Sequence, residues 1–255
     1  MKLGIIGCGA IGTDVAKAAS KMPEIERIYL YDTNEKAAKK LCDNIEKAEI
    51  KKVEDFLDEV DLVLEAASQE AVKVYGRKIL DAGKGLIIMT IGALFDDELR
   101  KKLVDIAKQK NCKIYLPSGA VCGMDGLRAG NIAGVDHVTL VTTKPPLSLG
   151  IDSDKRIVVF EGTAKEAVKK FPANINVAAC LSLAGKGFDE TMVKIVADPV
   201  VNRISHKILV HGKFGRLRTE VENLPNPNNP KSSYLASLSA IAILRRIIEP
   251  LQIGI

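Results

Sequence analysis

The segment Lys2-Leu3-Gly4-Ile5-Ile6-Gly7-Cys8-Gly9-Ala10-Ile11-Gly12 decides how this chain is read. A short apolar run, Leu3 to Ile6, flows into Gly7-x-Gly9-x-x-Gly12, and a helical pattern starts at once. A second apolar run, Ile28 to Tyr31, stops at Asp32, twenty residues after Gly12. A glycine triplet alone is weak evidence. Strand, glycines, helix and an acid at the tip of the next strand together form the dinucleotide-binding fingerprint. Gly7 is expected to turn the chain, Gly9 to leave the backbone open to a pyrophosphate, and Gly12 to let helix and sheet pack closely. The N–H groups that open the helix, around Ala10 and Ile11, face the phosphate charge with the positive end of the helix dipole. Asp32 suits the adenosine ribose hydroxyls and repels a 2′-phosphate, so NAD is the expected cofactor. Lys36 is close enough to blur that preference and leave NADP open. The plain alternative, a glycine-rich turn that binds nothing, is disfavoured by the placement of the acid.

Working outward, 255 residues suffice for one large domain or two modest ones. With 47% hydrophobic and 27% charged residues the chain reads as an ordinary soluble protein. Its net charge of +5 is dispersed rather than blocked, which suits anionic small molecules and does not imply nucleic acid. No apolar stretch reaches about 18 residues, so no membrane span is expected, and the immediate entry into a strand leaves no room for a signal peptide. Five scattered cysteines with no C-x-x-C pair argue for a reducing cytoplasm and against a metal site.

Residues 1–117 alternate strand and helix as a doubly wound α/β Rossmann domain. Strands are expected at Lys2–Gly7, Glu26–Tyr31, Asp61–Glu65, Gly85–Thr90 and Lys113–Leu116, with an edge strand near Ile50–Val53. Helices are expected at Ile11–Lys21, Glu35–Glu46, Gln69–Ala82 and Asp96–Lys110. Small residues gather where these strands end, at Ala66-Ala67-Ser68, Thr90-Ile91-Gly92-Ala93 and Pro117-Ser118-Gly119-Ala120, as a nicotinamide crevice requires. Residues 118–231 read as an α+β second domain around an antiparallel or mixed sheet. Its strand-like runs are His137–Thr143, Arg156–Glu161, Thr191–Ala197, His206–His211 and Arg216–Glu222, and its helices Ala164–Lys170 and Asn176–Ala184. Pro225–Pro230 reads as a loop. A final helix from Ser233 to about Ile248, within 232–255, is expected to pack back on the first domain.

These motifs are specific enough to compare with a family. Glu65-Ala66-Ala67-Ser68, Ile91-Gly92-Ala93-Leu94, Ser118-Gly119-Ala120 and Gly123-x-Asp125-Gly126-Leu127 are followed by Thr143-Lys144-Pro145-Pro146 and Phe171-Pro172-x-Asn174-x-Asn176-Val177. Ala197-Asp198-Pro199 with His206 downstream and Asn229-Pro230-Lys231-Ser232-Ser233 complete the set. Nearly end to end, the chain resembles the L-aspartate dehydrogenases that supply iminoaspartate for nicotinamide cofactor synthesis. The resemblance implies NAD(P)-dependent oxidation of L-aspartate to iminoaspartate, and on to oxaloacetate and ammonia. It implies His206 as the catalytic histidine, with Ala120 and Asn176 at the nicotinamide end; Ala67 and Ser68 are expected to line the cofactor site from their place among the small residues at a strand end. It further implies a homodimer, with residues 118–231 as the substrate and dimerisation domain whose sheets form much of the interface, and leaves room for a hand-off to a quinolinate-forming enzyme.

A base that activates water against an imine carbon suits histidine, whose ordinary pKa of about 6.5 lies near working pH. The chain has three: His137, His206 and His211. His206 and His211 have opposite parity on one strand and should face opposite sides of its sheet. Parity alone does not choose between them; the resemblance selects His206. The two carboxylates of aspartate need fixed donors, for which Lys144 and the Lys231-Ser232-Ser233 segment are candidates. Their plain alternatives are a solvated lysine and a serine N-cap. Asn174 and Asn176 could likewise be simple helix caps. Two other functions stay open at this point. One is a related dehydrogenase or reductase acting on homoserine, a semialdehyde or a cyclic imine. The other is a non-catalytic NAD(H)-binding redox sensor.

Overall fold

The computed structural model describes residues 1–171 and 175–254, the side chain of Lys231 excepted. The chain forms two compact units, Met1–Pro117 with Ser237–Gln252, and Ser118–Ala236 with Ile253 and Gly254.

In the first unit six parallel strands run in the order β3-β2-β1-β4-β5-β6. They are β1 (Lys2–Ile6), β2 (Arg27–Tyr31), β3 (Ala48–Ile50), β4 (Leu62–Glu65), β5 (Gly85–Ile88) and β6 (Ile114–Tyr115). The helices are α1 (Ala10–Ala19), α2 (Glu35–Cys42), α3 (Val53–Phe56), α4 (Gln69–Asp81) and α5 (Asp97–Gln109). Central strands are buried on both faces, as parallel strands covered by helices must be: the successive pairs Ile5 and Ile6, Val63 and Leu64, and Leu86 and Ile87 point to opposite sides and are all shielded from water. α1 buries Gly12, Val15, Ala16 and Ala19, one stripe of a 3.6-residue period. Ala240 and Leu244 of the C-terminal helix (Tyr234–Ile248) join the same core. Strand order reverses between β1 and β4, and ligand crevices form at strand carboxyl ends beside such a reversal. The edge strand lies two or three residues earlier than the sequence suggests. Val53 and Phe56 are spaced for a helix and fully buried, so Val53 opens α3 instead of extending a strand.

One buried charge organises the loops at those carboxyl ends. Glu65, the last residue of β4, is almost completely buried. Its carboxylate accepts the N–H groups of Ala67 (2.8 Å), Ser68 (3.0 Å) and Thr90 (3.1 Å), and the Thr90 hydroxyl at 2.9 Å. The loops after β4 and β5 are thereby fastened to one group. Burial pushes the Glu65 carboxyl above its ordinary value, against the pull of those hydrogen bonds.

The second unit is a mixed sheet in the order β11-β10-β7-β9-β8. Its strands are β7 (Val135–Lys144), β8 (Ile157–Thr163), β9 (Thr191–Ala197), β10 (Ile204–Gly212) and β11 (Gly215–Asn223). β7 and β9 are parallel and the other pairs antiparallel. Side chains alternate: Val138, Leu140, Thr142 and Lys144 on β7, with His206, Ile208 and Val210 on β10, are buried. α6 (Met124–Ala133) packs on β10, while α7 (Ala164–Lys170) and α8 (Asn176–Ala184) pack on β9. α7 opens with a reciprocal cap, in which Thr163 Oγ1 accepts from Glu166 N and the Glu166 carboxylate accepts from Thr163 N.

Two features depart from the sequence expectations. α6 was not expected, because Gly126 and Gly130 weaken its helical pattern by about 1 kcal/mol each. Close packing explains them: a Cβ on Gly130 would lie 2.7 Å from the Phe214 ring, and one on Gly126 3.4 Å from Leu217. The supposed loop at Pro225–Pro230 contains a small hairpin, β12 (Pro225–Asn226) and β13 (Asn229–Ser233). Asn226 Oδ1 accepts from Asn228 N at 2.7 Å and tightens its turn.

In the first unit, a Cβ at Gly12 would overlap the carbonyl oxygen of Gly7, a backbone atom that cannot swing aside. Gly12→Ala is expected to cost about 1–3 kcal/mol through overpacking, read as a fall of several degrees in Tm by calorimetry. An unchanged Tm would contradict this close contact.

Candidate functional site

In the first unit the glycine turn is built around backbone contacts. Gly7 has φ +100°, and a Cβ there would meet the Ala66 carbonyl at 2.6 Å. Its N–H donates to Tyr31 O at 2.8 Å, tying the end of β1 to β2. Gly9 precedes α1, which has neither a side-chain cap nor an acid in its first turn. By contrast α2, α4 and α5 are capped by Asn34, Ser68 and Asp96 and carry acids in their first turns. The positive end of α1, with Ala10 and Ile11, is thus left to an outside anion. Gly9 is exposed, and a Cβ on it would meet no protein atom within 4 Å. The backbone therefore does not need glycine there for its own packing. The space beside it fits the approach of a pyrophosphate.

Asp32 is half-buried at the tip of β2. Its Oδ2 accepts from Cys8 N and its Oδ1 from Asn34 N, each at 2.7 Å. A carboxylate has about four acceptor positions, so capacity remains for two ribose hydroxyls. Thr33, Asn34 and Lys36 are exposed beside it. Cys8 is a packing group: burial, and next the Asp32 charge, push its thiol up to about 12. Ala67 and Ser68 are exposed with both N–H groups held by Glu65. The Ser68 hydroxyl accepts from Ala71 N at 3.1 Å, so capping α4 is its local job.

The second unit gathers a polar cluster on the helix-covered face of its sheet. His206 and Thr142 are directly opposed on β10 and β7, each 7% exposed, with Thr142 Oγ1 2.9 Å from His206 Nδ1. Lys144, two residues along the same face of β7, is 8% exposed, so it is not the solvated surface lysine of the plain alternative. Burial pushes its ammonium below the ordinary lysine value. Burial, and then the charge of Lys144, push His206 down to about 4, so its imidazole is neutral at pH 7. The sign for stability follows. The unfolded chain binds this proton more readily, so His206 withdraws stability as pH falls from about 6.5 towards 4. Ala120 is buried and anchored to the sheet: Asn223 Nδ2 donates to its carbonyl at 3.1 Å. That bond fixes the amide orientation and leaves Asn223 Oδ1 buried with no partner among the described residues.

Parity separates the histidines as expected. His211 and His137 lie exposed and opposite one another, with ring centroids 6.4 Å apart, away from His206. Other candidates fall elsewhere. Ser232 and Ser233 end β13, whose pairing with β12 keeps the chain extended as far as Ser233, and Ser233 stands directly before the helix that begins at Tyr234. The Ser232 hydroxyl donates to Asn229 O at 3.0 Å. Asn176 is the exposed first residue of α8, not its cap; the capping position is Ile175. Asn174 lies outside the described residues. Sequence reading passed over Thr142, Asn223 and the role of Glu65. Only Glu65 left a visible signal, an acid ending the wholly apolar Leu62-Val63-Leu64 strand.

Residues 7–117 match the family model described as "Homoserine dehydrogenase, NAD binding domain", and residues 125–247 match "Aspartate dehydrogenase, C-terminal". The L-aspartate dehydrogenase of Methanosarcina barkeri is 46% identical over 269 residues, spanning 100% of this chain and 99% of the relative. That of Methanothermobacter thermautotrophicus is 44% identical over 256 residues, spanning 100% and 98%. The crystal structure of aspartate dehydrogenase from Thermotoga maritima matches with TM-score 0.85 at 33% identity, covering 100% of this chain and 99% of that one. A myo-inositol dehydrogenase from Corynebacterium glutamicum shares the fold alone, with TM-score 0.56 and 13% identity over 97% and 87% of the two chains. The first half thus matches a nucleotide-binding model named for another dehydrogenase. The second half and the end-to-end likeness are to aspartate dehydrogenases, and by both this chain belongs to the L-aspartate dehydrogenase family.

Proposed function

We propose that this protein oxidises L-aspartate with a pyridine nucleotide, giving iminoaspartate and, after hydrolysis, oxaloacetate and ammonia. The observation that carries this reading is the buried pair His206 and Lys144 on one sheet face, in a chain of this family throughout its length. The first unit holds the dinucleotide on Gly7, Gly9, Ala10, Ile11 and Gly12, with Asp32 on the adenosine ribose. NAD is preferred and NADP accepted less well, because Asp32 repels a 2′-phosphate. When bound, the nicotinamide accepts the hydride of the aspartate Cα.

Lys144 pairs with a substrate carboxylate, its burial making that charge pair stronger than a surface one. His206 offers Nε2, the nitrogen that Thr142 leaves unengaged, as the base. One water O–H bond breaks and its proton goes to Nε2. The oxygen bonds the iminium carbon, and the C=N π pair returns to nitrogen. A carboxylate seated against Lys144 also cancels part of the field that depresses His206, so substrate binding raises the basicity of the imidazole.

Around this chemistry, iminoaspartate serves NAD biosynthesis, with release to a quinolinate-forming enzyme competing with hydrolysis. The five free cysteines fit a cytoplasmic home, and no helix of the described residues is long and apolar enough to cross a membrane. The protein acts as a homodimer. On the sheet face turned away from His206, Leu209, Thr139 and Met192 stand side by side across β10, β7 and β9. Leu209 and Met192 are 38% and 40% exposed, apolar area that a second copy would cover.

Three measurements test this. His206→Ala should cut aspartate-dependent NADH formation by about 10²-fold or more while NADH binding persists, and Lys144→Ala should raise KM for aspartate. Wild-type turnover in His206→Ala would remove the imidazole from the reaction. Gly9→Ala should keep the wild-type Tm yet weaken NADH binding in a fluorescence titration, whereas equal affinity would place the nucleotide elsewhere. Light scattering should give twice the chain mass, falling towards one with Leu209→Glu; a monomeric wild type refutes the dimer.

A further inference from the structure

We propose that Thr142 is a positioning residue that sets the tautomer of His206, so that Nε2 presents a lone pair to the reacting water. This rests on the reading of His206 as the base. The geometry supplies a rigid partner for Nδ1. β7 lies inside the sheet, paired with β10 on one side and β9 on the other, and Thr142 faces His206 directly in register. Both side chains are buried, and the 2.9 Å contact joins Oγ1 to Nδ1. A β-branched side chain in a central strand has little rotamer freedom, so its hydroxyl is held in place.

A threonine hydroxyl has one hydrogen and two lone pairs, so the contact can be made in two ways. If the hydroxyl donates to Nδ1, the ring hydrogen sits on Nε2 and no proton can be accepted there. If Nδ1–H donates to Oγ1, Nε2 keeps its lone pair and can act as a base. Only the second arrangement also survives the reaction. The imidazolium formed by proton uptake carries hydrogens on both nitrogens, and its Nδ1–H bond to Oγ1 is the one already present. No hydroxyl rotation interrupts the step.

The choice of a hydroxyl rather than a carboxylate also has a consequence. A carboxylate at this position would orient the ring equally well, but its charge would favour the imidazolium at rest. Thr142 orients without charge, and the charged group whose field reaches the ring is the cationic Lys144. His206 therefore waits neutral until the substrate arrives. Along the buried face of β7 the residues run Val138, Leu140, Thr142, Lys144, so a valine at 142 would continue the apolar series in nearly the same shape. A hydroxyl there is used by the ring.

The test compares the full-length wild type with Thr142→Val, Thr142→Ser and His206→Ala. Steady-state kinetics, Tm and ¹⁵N spectra of labelled histidine are recorded, the His206 signals being assigned by their loss in His206→Ala. Thr142→Val should lower kcat by about 10- to 100-fold, the range found for partners that orient a metal-bound imidazole in the same way, with KM for aspartate within about twofold. Thr142→Ser should recover most of that loss. Wild type should show the Nδ1–H tautomer, and Thr142→Val a shift towards Nε2–H. An inactive His206→Ala beside a fully active Thr142→Val would overturn this inference alone. An active His206→Ala would overturn the base and the inference together. If Thr142→Val fails to fold, an Nε2–H tautomer in the wild type, or a Thr142→Ser as slow as His206→Ala, still refutes it.

Discussion

Backbone meets backbone where the first helix starts, and the first unit depends on that contact. The carbonyl of Gly7 occupies the place that any side chain on Gly12 would need. This pins the first turn of α1 against the end of β1, which fixes where its N–H groups point. The same turn is tied to β2 through Gly7 N to Tyr31 O and through Cys8 N to the Asp32 carboxylate. Glu65 then fastens the next two loops. The loops at these strand ends are thus held almost wholly through main chain, with two carboxylates as their pegs.

The second unit solves a different problem, keeping polar groups in a sheet face that is otherwise apolar. Burying polar side chains without partners costs about 1–3 kcal/mol each, so their presence calls for a use. Thr142 and His206 satisfy one another. Asn223 donates an amide hydrogen to Ala120, and its oxygen has no partner among the described residues. Chemistry is the simplest reason for retaining such a cluster beside Ile208 and Val210, which could have been extended by further aliphatic residues.

Much of this was legible in the sequence because the physical signals are local. Parallel strands announce themselves as apolar runs, and the bounds of β9, α7 and α8 agree with their periodicity to the residue. The glycine turn and Asp32 could be found by spacing alone. Parity divided His206 from His211 but could not say which side was covered, since that depends on where α6, α7 and α8 lie. α6 itself was hidden by Gly126 and Gly130, whose purpose is visible only once Leu217 and Phe214 are seen against them. The hairpin of β12 and β13 reads as a loop in the sequence because the two strands pair over too few residues to show any period. Thr142 could not be found at all from composition, because it matters only through a register set across 64 residues of chain.

The double engagement of Asp32 bears on redesign. Its two oxygens hold the amides of Cys8 and Asn34, so the group proposed to meet the ribose is also a tie within the turn. Replacing it to recruit a phosphorylated nucleotide would loosen the very scaffold the new ligand needs. Retuning should therefore begin at the solvent-facing neighbours Thr33 and Lys36, whose side chains can change while the carboxylate and the Asn34 cap of α2 stay in service.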